Sequence, residues 1–332
     1  MTSGPIGTAD AAMTVLELRD FNAQLVLVER PRPEPAPGEV LVEVVAAGLS
    51  YVDRLVTSGK YQSLPALPLV PGMELAGTVT AVGTGVVDLS IGDRVLAQVR
   101  SGAWAGYVCV PELAAVRIPD RMAFAQAATF GLAHATAYAA LVDRARVQPG
   151  ETVLVSGANG AVGRAACSIA RALGATVIAL VRPRVDALPE IPAADCVLAC
   201  EPHAIKDEVH RATGGEGADV VIDQVGGDTL GQLVRATAWE GRVVLVGFAS
   251  GEQPLLKPGH LLVKNIAVAG LQTSDYFERR PAQSRQMLAT LLRLWEEGRL
   301  DVGEPPTLRA VDVLADDPVC PGPVAVLFGT DS

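Results

Sequence analysis

One stretch of this 332-residue sequence has residue types and spacing suited to chemistry: VLVSGANGAVGRAACSIARALGATVIALVRPR, residues 153–184. An apolar run ends at Ser156, glycines follow at 157, 160 and 163, and a segment with helical spacing runs from about Ala161 to Leu173. A bare turn at a helix N-terminus presents unpaired N–H groups and the positive end of the helix dipole, which suits a diphosphate. Glycine is needed where a Cβ would block the ligand or the neighbouring strand. The turn residues Gly157, Asn159, Gly160, Ala161, Val162 and Gly163 are therefore read as binding a dinucleotide. The second strand ends in V-R-P-R. Arg182 stands 19 residues beyond Gly163, near where an acid would hold the ribose 2′-OH of NAD, and Arg184 follows. A guanidinium grips a 2′-phosphate in bidentate fashion, so the expected cofactor is NADPH.

The elements that must position this turn are legible as alternating segments. TVLVS, the glycine turn and its helix, TVIALV, ADVVIDQVGG, a helix near 228–239, GRVVLVGF and NIAVAGLQ together read as βαβ units on a parallel sheet. Turns at Asp223–Gly226, with Val225 and Gly226 against the cofactor, at Val246, Gly247 and Phe248, and at Leu271–Gln272 are expected to complete the cofactor groove at the carboxyl ends of the strands. Before this region, residues 15–117 show short apolar runs broken by Gly and Pro, the pattern of an antiparallel β-domain. An Ala-rich segment, residues 125–145, reads as a helix leading into the second domain, and 281–297 as another amphipathic helix. The tail ends in VAVLF, read as a last strand returning to the first domain. The expected division is 1–124, 125–270 and a return over 271–332.

Composition narrows the function. Apolar residues make up 49% and aromatics 4%, which suits an Ala/Val/Leu-rich α/β protein. The net charge of −10 argues against a nucleic-acid partner, because phosphate backbones are bound by surplus Lys and Arg. The five scattered cysteines form no C-x-x-C pair and read as reduced thiols in a cytoplasmic protein. The opening MTSGPIGTADAAM has no basic region followed by an apolar block, so no secretory signal is expected, and no apolar run is long enough for a membrane span.

Taken jointly and in order, GLSYVDRLVTSGKY, PGMELAGTV, GDRV, the 153–184 unit, VVIDQVGG and WEGRVVLVGFASG resemble the medium-chain dehydrogenase/reductase superfamily. Within it the resemblance is to the zinc-independent quinone oxidoreductase and enoyl reductase group. The fold it implies is α/β: a GroES-like β-rich catalytic domain plus a Rossmann doubly wound parallel sheet. Zinc-dependent members carry a Cys in a G-x-C motif and a His in PGHE. Here those places hold Ser50 and Met73, neither a normal zinc ligand, and only Cys109 stands where a structural-zinc lobe needs four cysteines, so no metal is expected.

The resemblance implies hydride transfer from NADPH to a small molecule: a quinone, or an α,β-unsaturated carbonyl whose enolate oxygen needs a hydrogen-bond donor. Ser50 shortens the Asn usual at its place, and Tyr51 and Tyr61 are phenols able to donate or to pack. Asp53 is read as fixing loop geometry. Thr136, in GLAHATAY, matches a threonine of the family motif near the nicotinamide, while His134 is read either as a proton donor or as a hydrogen-bonded core residue. The alternatives are an enoyl reductase dedicated to a biosynthetic, polyketide-like intermediate, and an NADPH-binding protein without turnover. A homodimer paired through edge strands near residues 260–272 is also implied.

Overall fold

The computed structural model describes residues 12–183, 188–314 and 323–328. They form two compact units, one made of residues up to Leu132 and from Gly303 onward, the other of Ala133–Val302. The return to the first unit thus comes later than residue 271. Residues 299–301 stay with the second unit because the Arg299 guanidinium donates to the Ala172 carbonyl and the Asp301 amide donates to Ser168 Oγ.

The first unit is built on β1 (Ala12–Glu17) and β2 (Val26–Pro31), which pair antiparallel, and on β3 (Glu39–Leu49). After β3 come helix α1 (Tyr51–Thr57), β4 (Glu74–Val82), β5 (Arg94–Gln98), β6 (Tyr107–Pro111), β7 (Ala115–Arg117) and helix α2 (Phe124–Ala128). β3 is the spine: it pairs antiparallel with β4 and with β6. Its alternating Val40, Val42 and Val44 join Leu75, Val79, Val95 and Val110 in one buried cluster. Each such side chain contributes about 1.5–3 kcal/mol relative to exposure.

Trp104 belongs to this core and organises the loops around it. Its indole N–H donates to the Gly48 carbonyl at 2.9 Å, and a Cβ on Gly72 would lie 2.3 Å from its Cδ1. One aromatic side chain thus holds both the loop leading to Ser50 and the loop leading to Met73.

The second unit contains α3 (Gly131–Tyr138), whose first two residues belong to the first unit, then β8 (Thr152–Ser156), α4 (Ala161–Ala172), β9 (Thr176–Val181) and β10 (Cys196–Ala199). It continues with α5 (Ile205–Ala212), β11 (Ala218–Asp223), α6 (Gly227–Ala236), β12 (Thr237–Leu245), α7 (Pro258–Lys264), β13 (Ala267–Gly270), α8 (Ser274–Arg279) and α9 (Pro281–Glu296). Its sheet is parallel throughout, in the order β10-β9-β8-β11-β12-β13. The order reverses at β8/β11, the switch point of a doubly wound dinucleotide-binding sheet. The chain then returns to the first unit through β14 (Thr307–Arg309) and β15 (Val324–Leu327), and β15 pairs antiparallel with β3, as read from VAVLF.

Three segments differ from the sequence reading. Residues 125–145 are not one helix: the Thr129 hydroxyl donates back to the Ala125 and Gln126 carbonyls, α2 stops there, and α3 gives way to a π-helical turn over Ala139–Arg144. Such back-bonding competes with the helical ladder. The helix near 228–239 ends at Ala236, where β12 begins. Strand β10 and helix α5 were not read at all, since Cys196–Ala199 is a short, half-buried edge segment with little pattern.

Replacing Trp104 by Phe keeps the aromatic ring but orphans the Gly48 carbonyl. We expect a loss of about 1–3 kcal/mol, read as a lower denaturant midpoint with an unchanged slope.

Candidate active site

The glycine turn forms as its spacing requires. Gly157 adopts φ +61°, and Gly160 closes the turn as the residue preceding α4. A Cβ on Gly163 would lie 2.3 Å from the Gly157 carbonyl oxygen and 2.7 Å from Ala158 Cα, so the first turn of α4 can lie this close to the strand end only with glycine there. Asn159, Gly160, Ala161 and Val162 are half-exposed at this helix start, free to meet a ligand. Amides at such a terminus are anion donors.

What holds the turn in place is a side-chain hub at Asp223, a residue the sequence reading took only as part of a backbone turn. The last residue of β11, Asp223, is fully buried, and its Oδ1 accepts the Ser156 hydroxyl at 2.7 Å and the Val225 and Gly226 amides at 3.0 and 3.3 Å. Ser156 is the last residue of β8, and its oxygen takes the Gln224 amide while the Gln224 side chain donates to the Ser156 carbonyl. The turns after β8 and β11 are therefore locked side by side. Burial raises the Asp223 carboxyl above its usual range against these hydrogen bonds. The available signal was a polar residue closing each of two apolar runs, Ser156 and Asp223.

The neighbouring turns join the same edge. The Ala249 and Ser250 amides donate to the Gln224 and Val225 carbonyls, tying the Val246–Gly247–Phe248 turn to Val225–Gly226. Gly226, at φ +67°, leaves room for Phe248, whose Cδ1 would lie 2.7 Å from a Cβ. The Leu271 amide donates to Leu245, and Gln272 beside it is exposed. Arg182 follows β9, the neighbour of β8, and is exposed at the same carboxyl edge. Arg184 lies outside the described residues. On α3, Thr136 is half-buried, whereas His134 is buried at 6% exposure.

In the first unit, the loop after β3 holds a second polar group. Ser50 caps α1, and both its amide and its hydroxyl donate to Asp53 Oδ2, at 2.8 and 2.7 Å. Asp53 is buried, and burial pushes its carboxyl up to about 6 despite the Ser50 bonds. Glu74, the first residue of β4, is buried too, and its Oε2 accepts the Leu132 amide at 2.9 Å. Burial, followed by the nearby Asp53 charge, pushes Glu74 up to about 8 against the bonds from Leu132 and Gly131. Glu74 stands opposite Gln98 of β5, whose two amide atoms are buried and without partners, as is Asp53 Oδ1. Tyr51 is half-exposed, and Tyr61 packs on the small cluster of Leu18, Val56 and Leu69.

Ser50 and Met73 offer a hydroxyl and a thioether where zinc-dependent relatives carry ligands. Neither suits zinc, and the Ser50 hydroxyl is already bonded to Asp53. Among the described residues no group of three or more His, Cys, Asp or Glu could hold a metal ion. Nor is any described helix long and apolar enough to cross a membrane.

A six-stranded parallel sheet with a glycine turn at its switch point, in a chain that also carries a mainly antiparallel unit, defines a dinucleotide-dependent oxidoreductase. The family model described as Alcohol dehydrogenase GroES-like domain matches residues 36–120, and Zinc-binding dehydrogenase matches 161–293. A quinone oxidoreductase-like protein 2 homolog from Nematostella vectensis is 38% identical over 79% of this chain and 72% of its own. Among solved structures, mycobacterial Rv1454c complexed with NADPH superposes with TM-score 0.85 at 29% identity, covering 95% of this chain and 99% of that one. The CurK enoyl reductase does so with TM-score 0.85 at 25% identity, covering 96% and 99%. The chain belongs to the medium-chain dehydrogenase/reductase superfamily, in its quinone oxidoreductase group.

The raised Glu74 value has a stability consequence. A carboxyl whose folded value lies above its unfolded one stabilises the fold below the unfolded value, about 4.5, and loses that contribution as pH rises through about 8. Glu74→Gln, permanently neutral, should flatten the fall in Tm between pH 5 and 9 and gain on the wild type toward the alkaline end. Parallel wild-type and variant curves would contradict this.

Proposed function

We propose that this protein is an NADPH-dependent reductase of α,β-unsaturated carbonyls or quinones that works without zinc. The observation that carries the reading is the pairing of an arginine, Arg182, after β9 with non-ligand residues, Ser50 and Met73, at the metal-ligand positions of relatives. With no Lewis acid to polarise an alcohol, polarised double bonds are the better substrates.

Gly157, Gly160 and the amides of Asn159, Ala161 and Val162 would hold the diphosphate, Gly163 giving the helix its close approach. Arg182 would pair with the 2′-phosphate, and Arg184 beside it in sequence belongs to the same expectation. Thr136, Val225–Gly226, Val246–Phe248 and Leu271–Gln272 would line the rest of the cofactor. Bound NADPH supplies the hydride. In the first unit Ser50 and Tyr51 carry the hydroxyls a substrate oxygen would need, Tyr51 being the freer donor because the Ser50 proton faces Asp53. An enoyl reductase dedicated to one biosynthetic intermediate is the second reading, favoured by the likeness to CurK.

We also propose a cytoplasmic homodimer. β13 ends its sheet with one side unpaired among the described residues, and Leu255, Leu262 and Val263 nearby are 90%, 80% and 73% exposed. An unpaired strand edge, with exposed apolar side chains on the helix just before it in the chain, suits pairing with a symmetry mate.

Arg182→Ala, alone and with Arg184→Ala, should weaken NADPH about 10–100-fold, the worth of a bidentate charge-assisted pair, and NADH far less, by titration of nicotinamide fluorescence. An equal loss for both would refute the phosphate assignment. Steady-state NADPH oxidation over a panel of enones and quinones tests the reaction itself: binding without consumption by any of them overturns it. Leu262→Asp with Val263→Asp should give monomers by light scattering.

A further inference from the structure

Helix α4 carries an arginine that the shape of the glycine turn does not require. Arg164 follows Gly163 directly, in the first turn of α4, and it is exposed. Side chains on a helix lean toward its N-terminus. The Arg164 guanidinium accordingly folds back over the turn: Nε donates to the Asn159 carbonyl at 3.3 Å, and Nη1 donates to the Glu190 carbonyl at 3.1 Å. Asn159 belongs to the glycine turn, and Glu190 to the segment that follows β9 and Arg182. In a sheet of this kind the end of the second strand, here β9, meets the adenosine ribose. One guanidinium therefore spans from the diphosphate turn to the stretch of chain beyond Arg182, on the ribose side.

Arg171, two helical turns further along α4 and on the same face, provides the contrast. It reaches the same segment, donating from Nη1 to the Pro192 carbonyl at 3.4 Å and from Nη2 to Asp195 Oδ1 at 3.0 Å. Asp195 Oδ2 in turn accepts the Val177 amide of β9 at 2.8 Å. Arg171 is thus a clamp whose charge is matched by a carboxylate. Arg164 lacks that match: among the described residues both its partners are neutral carbonyls, and they occupy two of the five N–H donors of the guanidinium. In a chain of net charge −10, this is a cation held in position with its charge uncompensated.

We propose that Arg164 is a second cation for the 2′-phosphate of NADPH, sharing it with Arg182 and setting the preference for the phosphorylated dinucleotide. The proposal rests on the placement of NADPH with its diphosphate on the glycine turn. The diphosphate has the amides and the helix dipole of that turn, whereas the 2′-phosphate, out on the ribose, depends on side chains. A phosphate monoester carries close to two negative charges near neutral pH and three acceptor oxygens, enough for two guanidinium groups. Arg182 approaches from the end of β9 and Arg164 from the first turn of α4, which packs on that strand. The carbonyl tethers hold the Arg164 side chain before the ligand arrives, which lowers the entropy lost on binding.

The test measures binding, not turnover. Wild type, Arg164→Ala, Arg164→Lys, Arg171→Ala and the double variant Arg164→Ala with Arg182→Ala are titrated calorimetrically with NADPH and with NADH, after circular dichroism and thermal unfolding confirm each fold. Arg164→Ala should weaken NADPH about tenfold and NADH by less than about twofold. Arg164→Lys, which keeps the charge and loses the planar fork, should fall between wild type and Arg164→Ala. The double variant should hold NADPH no more tightly than NADH. Arg171→Ala releases the same segment from α4 and should leave the NADPH-to-NADH ratio unchanged. An equal loss of both dinucleotides in Arg164→Ala, no loss of either, or the same shift of ratio in Arg171→Ala would make Arg164 a clamp like its neighbour and overturn the proposal, with Arg182 still assigned to the phosphate. A wild type that binds NADPH and NADH equally overturns the phosphate assignment as a whole, and this proposal with it.

Discussion

The cofactor-binding edge depends on one buried oxygen. Asp223 Oδ1 takes three donors, the Ser156 hydroxyl and the Val225 and Gly226 amides, and so fixes the turns after β8 and β11 against each other. A diphosphate can be held only where backbone amides are left without internal partners, and such a turn has nothing of its own to keep its shape. The carboxylate supplies that shape from the next strand. It also explains why glycines cluster here: Gly157, Gly163 and Gly226 each stand where a Cβ would strain the backbone or collide with a neighbour.

The first unit solves a different problem. Where zinc-dependent relatives carry a cysteine and a histidine this chain has a serine and a methionine, and burial is the largest cause that raises the two carboxyls nearby. Neutralisation by proton uptake is the physical alternative to pairing for a buried acid. Trp104 bridges the two loops concerned, so the geometry of this acidic group is set by the hydrophobic core beneath it.

Much of this was readable from the chain. The strand–glycine–helix unit, Arg182 in place of an acid and the identities of Ser50 and Met73 are local facts, fixed by residue type and spacing. So was the return of VAVLF to the first unit, because an apolar run with β-propensity needs a sheet to join. The broken helix over 125–145 was not, since Thr129 ends α2 through hydrogen bonds that any threonine in a helix could forgo. The edge strand β10 escaped for lack of alternation over four half-buried residues.

By itself the sequence determined the class of ligand, because a missing Cβ and a positive charge act wherever the backbone carries them. Only the tertiary structure decided which polar groups meet. Asp223 reaches Ser156 across 67 residues, and Glu74 reaches Leu132 across 58. Those pairings, and the burial that shifts their protonation, arise from sheet register and packing, which no local pattern encodes.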